Sequence, residues 1–182
     1  LLVFLKSALE PETRNPSITG SQKCGECHSL KNLGDQYTVW FNSKHSNAYK
    51  SLLNQIAIDY NKNNGLKLPV NEEKCLKCHT TKYSLNSENV GLYYNISEGV
   101  GCETCHGAGS LYSPSEIMKD SSLFIKFGGL IPNKNTCIKC HSEKINNSNV
   151  FDDNICPFQN DVFDYNSAIE KIKHPINTEQ MK

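Results

Sequence analysis

Four times in 182 residues the chain sets two cysteines around a two-residue gap, with a histidine directly after the second. The four copies are Cys24-Gly25-Glu26-Cys27-His28, Cys75-Leu76-Lys77-Cys78-His79, Cys102-Glu103-Thr104-Cys105-His106 and Cys137-Ile138-Lys139-Cys140-His141. On a helix this spacing puts both thiols on one face, with the histidine about one turn beyond the first cysteine. Cysteines paired in this way also build zinc cages of four thiolates, or three thiolates and an imidazole. The histidine separates the two chemistries. It fills 6 of 182 positions, so four chance occurrences at the required place have a probability of roughly one in a million. Covalent haem attachment needs it there every time: the thiols bond the porphyrin vinyl groups and the imidazole becomes the proximal iron ligand. The motifs therefore predict four covalently bound haem c groups. Cys24, Cys27, Cys75, Cys78, Cys102, Cys105, Cys137 and Cys140 attach them, and His28, His79, His106 and His141 bind iron.

Four porphyrins change what the chain has to do in order to fold. Only 37% of its residues are hydrophobic, little for a domain that builds its core from side chains alone. Haem supplies the missing apolar surface. The expected fold is mainly α and loop-rich, with haems forming the core and short helices wrapped around them. The motifs recur at unequal intervals, which argues against a tandem repeat. Residues 1–20 read as a lead-in, 21–176 as the haem domain and 177–182 as a tail. The start, Leu1-Leu2-Val3-Phe4-Leu5, reads as a signal remnant or an amphipathic segment and is too short to span a membrane. Attachment of this kind is completed outside the cytoplasm, so the expected location is periplasmic or extracellular. The formal charge of zero offers no footprint for nucleic acid. Haem propionates make the loaded protein acidic, which suits redox partners with basic docking patches.

Four proximal ligands leave only His45 and His174 among the histidines, so at least two haems have no second histidine. His45 lies on an apolar stripe with Phe41, Ala48, Leu52 and Ile56, within a helix predicted from Asp35 to Tyr60 and stopped by Asn63-Asn64-Gly65. His174 follows the helical pattern of Tyr165, Ala168, Ile169 and Ile172, just before Pro175. Both are expected distal ligands. Met118 is a third, on a helix expected to begin at Pro114 behind a Ser113–Glu116 capping box. A thioether ligand raises the haem potential. Glycines 99, 101, 107 and 109 flank the third motif, as close haem–haem contact would require. Cys156 is the one cysteine left over and reads as an inert, buried thiol.

The stretch Trp40-Phe41-Asn42-Ser43-Lys44-His45-Ser46-Asn47-Ala48, the second motif, and Gly99-Val100-Gly101-Cys102-Glu103-Thr104-Cys105-His106-Gly107-Ala108-Gly109 resemble the tetrahaem cytochrome c-554 family. That family carries electrons from hydroxylamine oxidoreductase. The resemblance implies haems in closely stacked pairs, a five-coordinate second haem, His45 on the third haem and His174 on the fourth. It also implies a histidine soon after Gly109, where this chain reads Ser110-Leu111-Tyr112-Ser113-Pro114. Either Met118 takes that place on the first haem or that haem is open too, and the family's partner is not carried over. The function expected is electron transport between redox proteins, with no catalytic residues assigned. The alternatives are a reductase acting on a small nitrogen or sulfur species bound at an open haem, and an electron-transfer subunit of a larger complex or filament.

Overall fold

The computed structural model describes residues 15–142, 156–159 and 161–174. The apolar start, most of the lead-in and the C-terminal tail lie outside the described residues. Within them the chain is mainly helical and loop-rich. Among the described residues the only strand-like pairing is a single bridge between Ile18 and Val90. The helices are short: Ser21–His28, Gln36–Phe41, Ala48–Ser51, Gln55–Asn63, Glu73–His79, Thr81–Ser84, Cys102–His106, Ser115–Met118, Ser121–Lys126, Lys134–Cys137 and Tyr165–Ile172. None is long and apolar enough to cross a membrane.

The helix predicted from Asp35 to Tyr60 is broken into pieces. Asp35 does begin it, as the N-cap of Gln36–Phe41, and Gln55–Asn63 ends just before Asn64 and Gly65. Between these ends, serine and asparagine side chains capture the backbone. The Ser46 hydroxyl donates to the carbonyls of Phe41 and Ser43, the Asn42 amide donates to Thr38 O, and the Asn54 carbonyl accepts from Ala57 N. The Ser46 bonds take carbonyls from the helical ladder, the Asn42 bond shares Thr38 O with its own backbone N–H at the helix end, and the Asn54 bond starts a new helix. The predicted stripe is accordingly split, with Leu52 buried and Phe41 and Ile56 exposed. The Ser113–Glu116 capping box is likewise not formed. Pro114 is itself the N-cap, without a side-chain bond, and Met118 closes a single turn. A capping box forms instead at Asn133 and Thr136, ahead of the fourth motif.

Buried hydrophobic side chains are scattered: Ile18, Trp40, Leu52, Leu76 and Val100 lie on different segments. One cluster gathers Tyr112, Ile117 and Phe127, with Leu111, Met118, Leu123 and Phe124 partly buried against it. Trp40 is fixed by its indole N–H, which donates to Val100 O at 2.8 Å.

The tightest part of the fold is a carboxylate. Glu103, between the third motif's cysteines, is 1% exposed. It accepts from Thr19 N and Oγ1, Gly20 N and Gly109 N at 2.6–3.0 Å. It ties the segment entering the first haem helix to the third. Glu98 makes a parallel tie, accepting from Ser21 N and Oγ at 3.0 Å, while Cys102 N donates to the same Ser21 hydroxyl. Two glycines around the third motif serve these ties, since a Cβ on Gly101 would meet Glu98 Oε1 and one on Gly109 would lie 2.9 Å from Glu103 Oε1. A Cβ on Gly99 (φ 76°) would lie 2.5 Å from His45 O, and one on Gly107 (φ 83°) 2.5 Å from Gly128 O. What crowds these two is neighbouring backbone.

Glu98 gives the fold a pH dependence. Burial pushes its carboxyl up to about 7 from 4.5; the two Ser21 bonds pull it back and Glu103 pushes it up further. The folded chain therefore keeps a proton that the unfolded chain has lost across that window. Stability from this group is present below about pH 4.5 and is lost as pH rises through about 7. Melting of Glu98→Gln, followed from about pH 4.5 to 7.5, is expected to lack this component of the wild-type slope. An unchanged slope would mean that Glu98 is ionised throughout.

Candidate haem-binding site

Every Cys-x-x-Cys-His motif sits on a helical turn. The first two occupy the ends of Ser21–His28 and Glu73–His79, and the third is the whole of Cys102–His106. The fourth begins at the last residue of Lys134–Cys137 and continues through His141 N, which donates to Cys137 O at 3.0 Å. All nine cysteines are free of disulfides. Cys24 lies within hydrogen-bonding reach of Cys102, and Cys78 of Cys140. The chain thus brings the first motif to the third and the second to the fourth. Cys105 and Cys137, within electrostatic reach of each other, join the two groups. Half-buried Cys156 lies near the second motif, and burial pushes its thiol up.

Three motif histidines are oriented through Nδ1. His28 Nδ1 is 3.1 Å from Gln36 Oε1. His79 Nδ1 is 2.8 Å from Ala48 O and 3.1 Å from Ser51 Oγ. His106 Nδ1 is 3.1 Å from Leu130 O. An Nδ1–H donating to a carbonyl selects the tautomer whose Nε2 lone pair is free for a metal. Burial holds His45, His79, His106, His141 and His174 below the usual imidazole range, in the neutral form that ligation requires.

His45 faces His141 with ring centroids 5.9 Å apart, and His174 faces His106 at the same 5.9 Å. Two imidazoles on opposite sides of one metal, each with a metal–nitrogen bond of about 2 Å, have centroids about 6 Å apart. The residues present therefore fit a six-coordinate iron at the third and fourth motifs. The pairing is the reverse of the one the resemblance implies, since His45 meets the fourth motif and His174 the third. The reason lies in the backbone. Val100 N donates to His45 O and Gly99 packs on the same carbonyl, so the His45 loop is fastened to the segment leading into the third motif while its ring reaches the fourth. Met118 lies in the Tyr112 cluster, and Tyr112 is within electrostatic reach of Cys24 and Cys102. His174 Nδ1 is buried without a hydrogen-bond partner.

Sequence reasoning missed Glu98, Glu103 and Phe163. Phe163 stacks on His141 at 4.7 Å and 17°. Glu103 had a local signal in its place between two motif cysteines, followed by Gly107-x-Gly109.

Helical turns that each present two thiols and an imidazole to one space define a c-type cytochrome, a protein that holds haem covalently and uses it for electron transfer. The cytochrome c554 and c-prime family matches residues 23–107, so that part of the chain is similar to it. The match takes in the first three motifs and His45. No curated protein and no solved structure matches the chain.

Proposed function

We propose that residues 21–176 form a tetrahaem electron carrier, exported to the periplasm or beyond, that passes electrons between redox proteins along its haems. Bound haem supplies a one-electron iron couple. The observation that carries the reading is the pair of histidine contacts at 5.9 Å behind paired thiols. In this reading His106 with His174 and His141 with His45 are the axial pairs of the third and fourth haems. Thiol proximities support stacked pairs, first with third and second with fourth, in the order first–third–fourth–second. The scattered apolar side chains, with Leu53, Ile56 and Leu68 exposed, suit a core completed by porphyrin.

With six histidines in the chain and four of them in these pairs, His28 and His79 have no histidine opposite. Met118 is the proposed thioether partner of the first haem, supported by its cluster beside Cys24 and Cys102. The second haem is then five-coordinate. Carbon monoxide added to reduced protein is expected to bind one haem per chain, and two in Met118→Leu, which keeps the bulk but removes the sulfur. Two haems bound in both proteins would mean that Met118 only packs, and one in both that another residue caps the first haem. Rapid turnover of nitrite or hydroxylamine with an artificial donor would replace the carrier with a reductase.

A further inference from the structure

We infer that Phe163 is a positioning residue for His141, and that by seating this ring without a hydrogen bond it places the fourth-motif haem at a higher potential than the third. The inference rests on the axial pairs proposed above. It arises from a contrast within one chain. Nδ1 of His28, His79 and His106 each faces an oxygen at 2.8–3.1 Å. Among the described residues the His141 ring has no hydrogen-bond partner. It lies instead on the face of Phe163, 4.7 Å between centroids and 17° from parallel.

The stack is built into the local backbone. Phe163 N donates to Ser142 O at 3.2 Å, next to His141 in the chain. The Gln159 side chain clasps Ser142 from both ends, accepting from its N–H at 3.3 Å and donating to its carbonyl at 2.6 Å. Phe163 is thereby held over the imidazole, an apolar surface where the other motifs supply an acceptor.

Two consequences follow for a metal bound between the histidines. An Nδ1–H that donates to a carbonyl gains imidazolate character, makes the ring a stronger donor and favours ferric iron. His106 has this bond and His141 does not, so the ferric state is favoured less at the fourth motif. The ring planes differ as well: His45 and His141 cross at 61°, whereas His106 and His174 are 38° apart. More strongly crossed imidazoles donate into two different iron d orbitals and bring them closer in energy. That enlarges the principal g value of the low-spin ferric signal. The two pairs thus carry separate spectroscopic labels.

The test is a potentiometric titration of the purified holoprotein followed by EPR. His174→Ala assigns the signals, because it removes the third-motif one and leaves the fourth. The expected result is that the signal with the larger principal g belongs to the fourth motif and titrates at the higher potential. Phe163→Leu keeps apolar bulk and should shift that g value alone. Phe163→Gln offers His141 an amide oxygen and should lower the potential of that signal alone. Equal shifts of both signals would mark a merely structural role and overturn the inference, as would no shift in either variant. If neither variant assembles, the order in the unaltered protein decides, and a fourth-motif signal below the third overturns it. Finding no pair of His/His low-spin signals would instead overturn the ligand reading beneath it.

Discussion

Replacing His45 with alanine is expected to convert the haem on Cys137, Cys140 and His141 from low-spin to high-spin and leave the others unchanged. His45 is the only imidazole found opposite His141, at 5.9 Å, and alanine puts nothing in its place. One haem in four loses its sixth ligand, so about a quarter of the ferric Soret intensity should move. The loss should be specific to the fourth motif. Combined with removal of that haem through Cys137→Ser and Cys140→Ser, His45→Ala should add no further loss of low-spin signal, because both changes act on the same centre. Combined with removal of the third haem, the two losses should add. The opposite pattern would restore the pairing implied by the family resemblance.

Glu103→Ala is expected to be the most destabilising single change away from the haem ligands, by about 4 kcal/mol. The carboxylate is 1% exposed, and three backbone N–H groups, on Thr19, Gly20 and Gly109, depend on it. Each buried donor left without an acceptor costs about 1–3 kcal/mol, and an alanine cavity does not bring water to all three. Glu103→Gln should cost roughly half as much, because its oxygen can replace Oε1 while its amide nitrogen faces Gly20 N as donor against donor. Denaturant unfolding followed through haem absorbance measures both. An alanine variant within about 1 kcal/mol of wild type would show that the segment holds itself without the carboxylate.

What the sequence revealed and what it hid follow from the range of the interactions. Haem attachment depends on five consecutive residues, so all four candidate motifs are legible without a fold. The end of the Gln55–Asn63 helix and the whole of Tyr165–Ile172 are legible for the same reason, through Asn64-Gly65 and a local apolar period. The breaks at Asn42–Ser46 were hidden because apolar spacing speaks for a continuous helix, whereas the outcome turns on hydroxyls that bond to carbonyls three and five residues away. His45 and His174 were singled out as distal ligands by counting, and the resemblance matched them to motifs in the order opposite to the ring contacts of the structure. Matching depends on how the loop at Gly99–Val100 folds back on His45. Glu103 was hidden in another way. Within a motif its position reads as free, and only the approach of Thr19 and Gly20, distant in sequence, makes it a keystone.

In the proposed function one chain carries four haems through its four cysteine pairs. Intact-mass measurement of the matured protein tests this. The expected mass equals the polypeptide plus four haems, falling by one haem each time a cysteine pair is replaced by serines, with no zinc released on unfolding. A matured protein carrying two haems or fewer, or one holding zinc at these thiols, would contradict it.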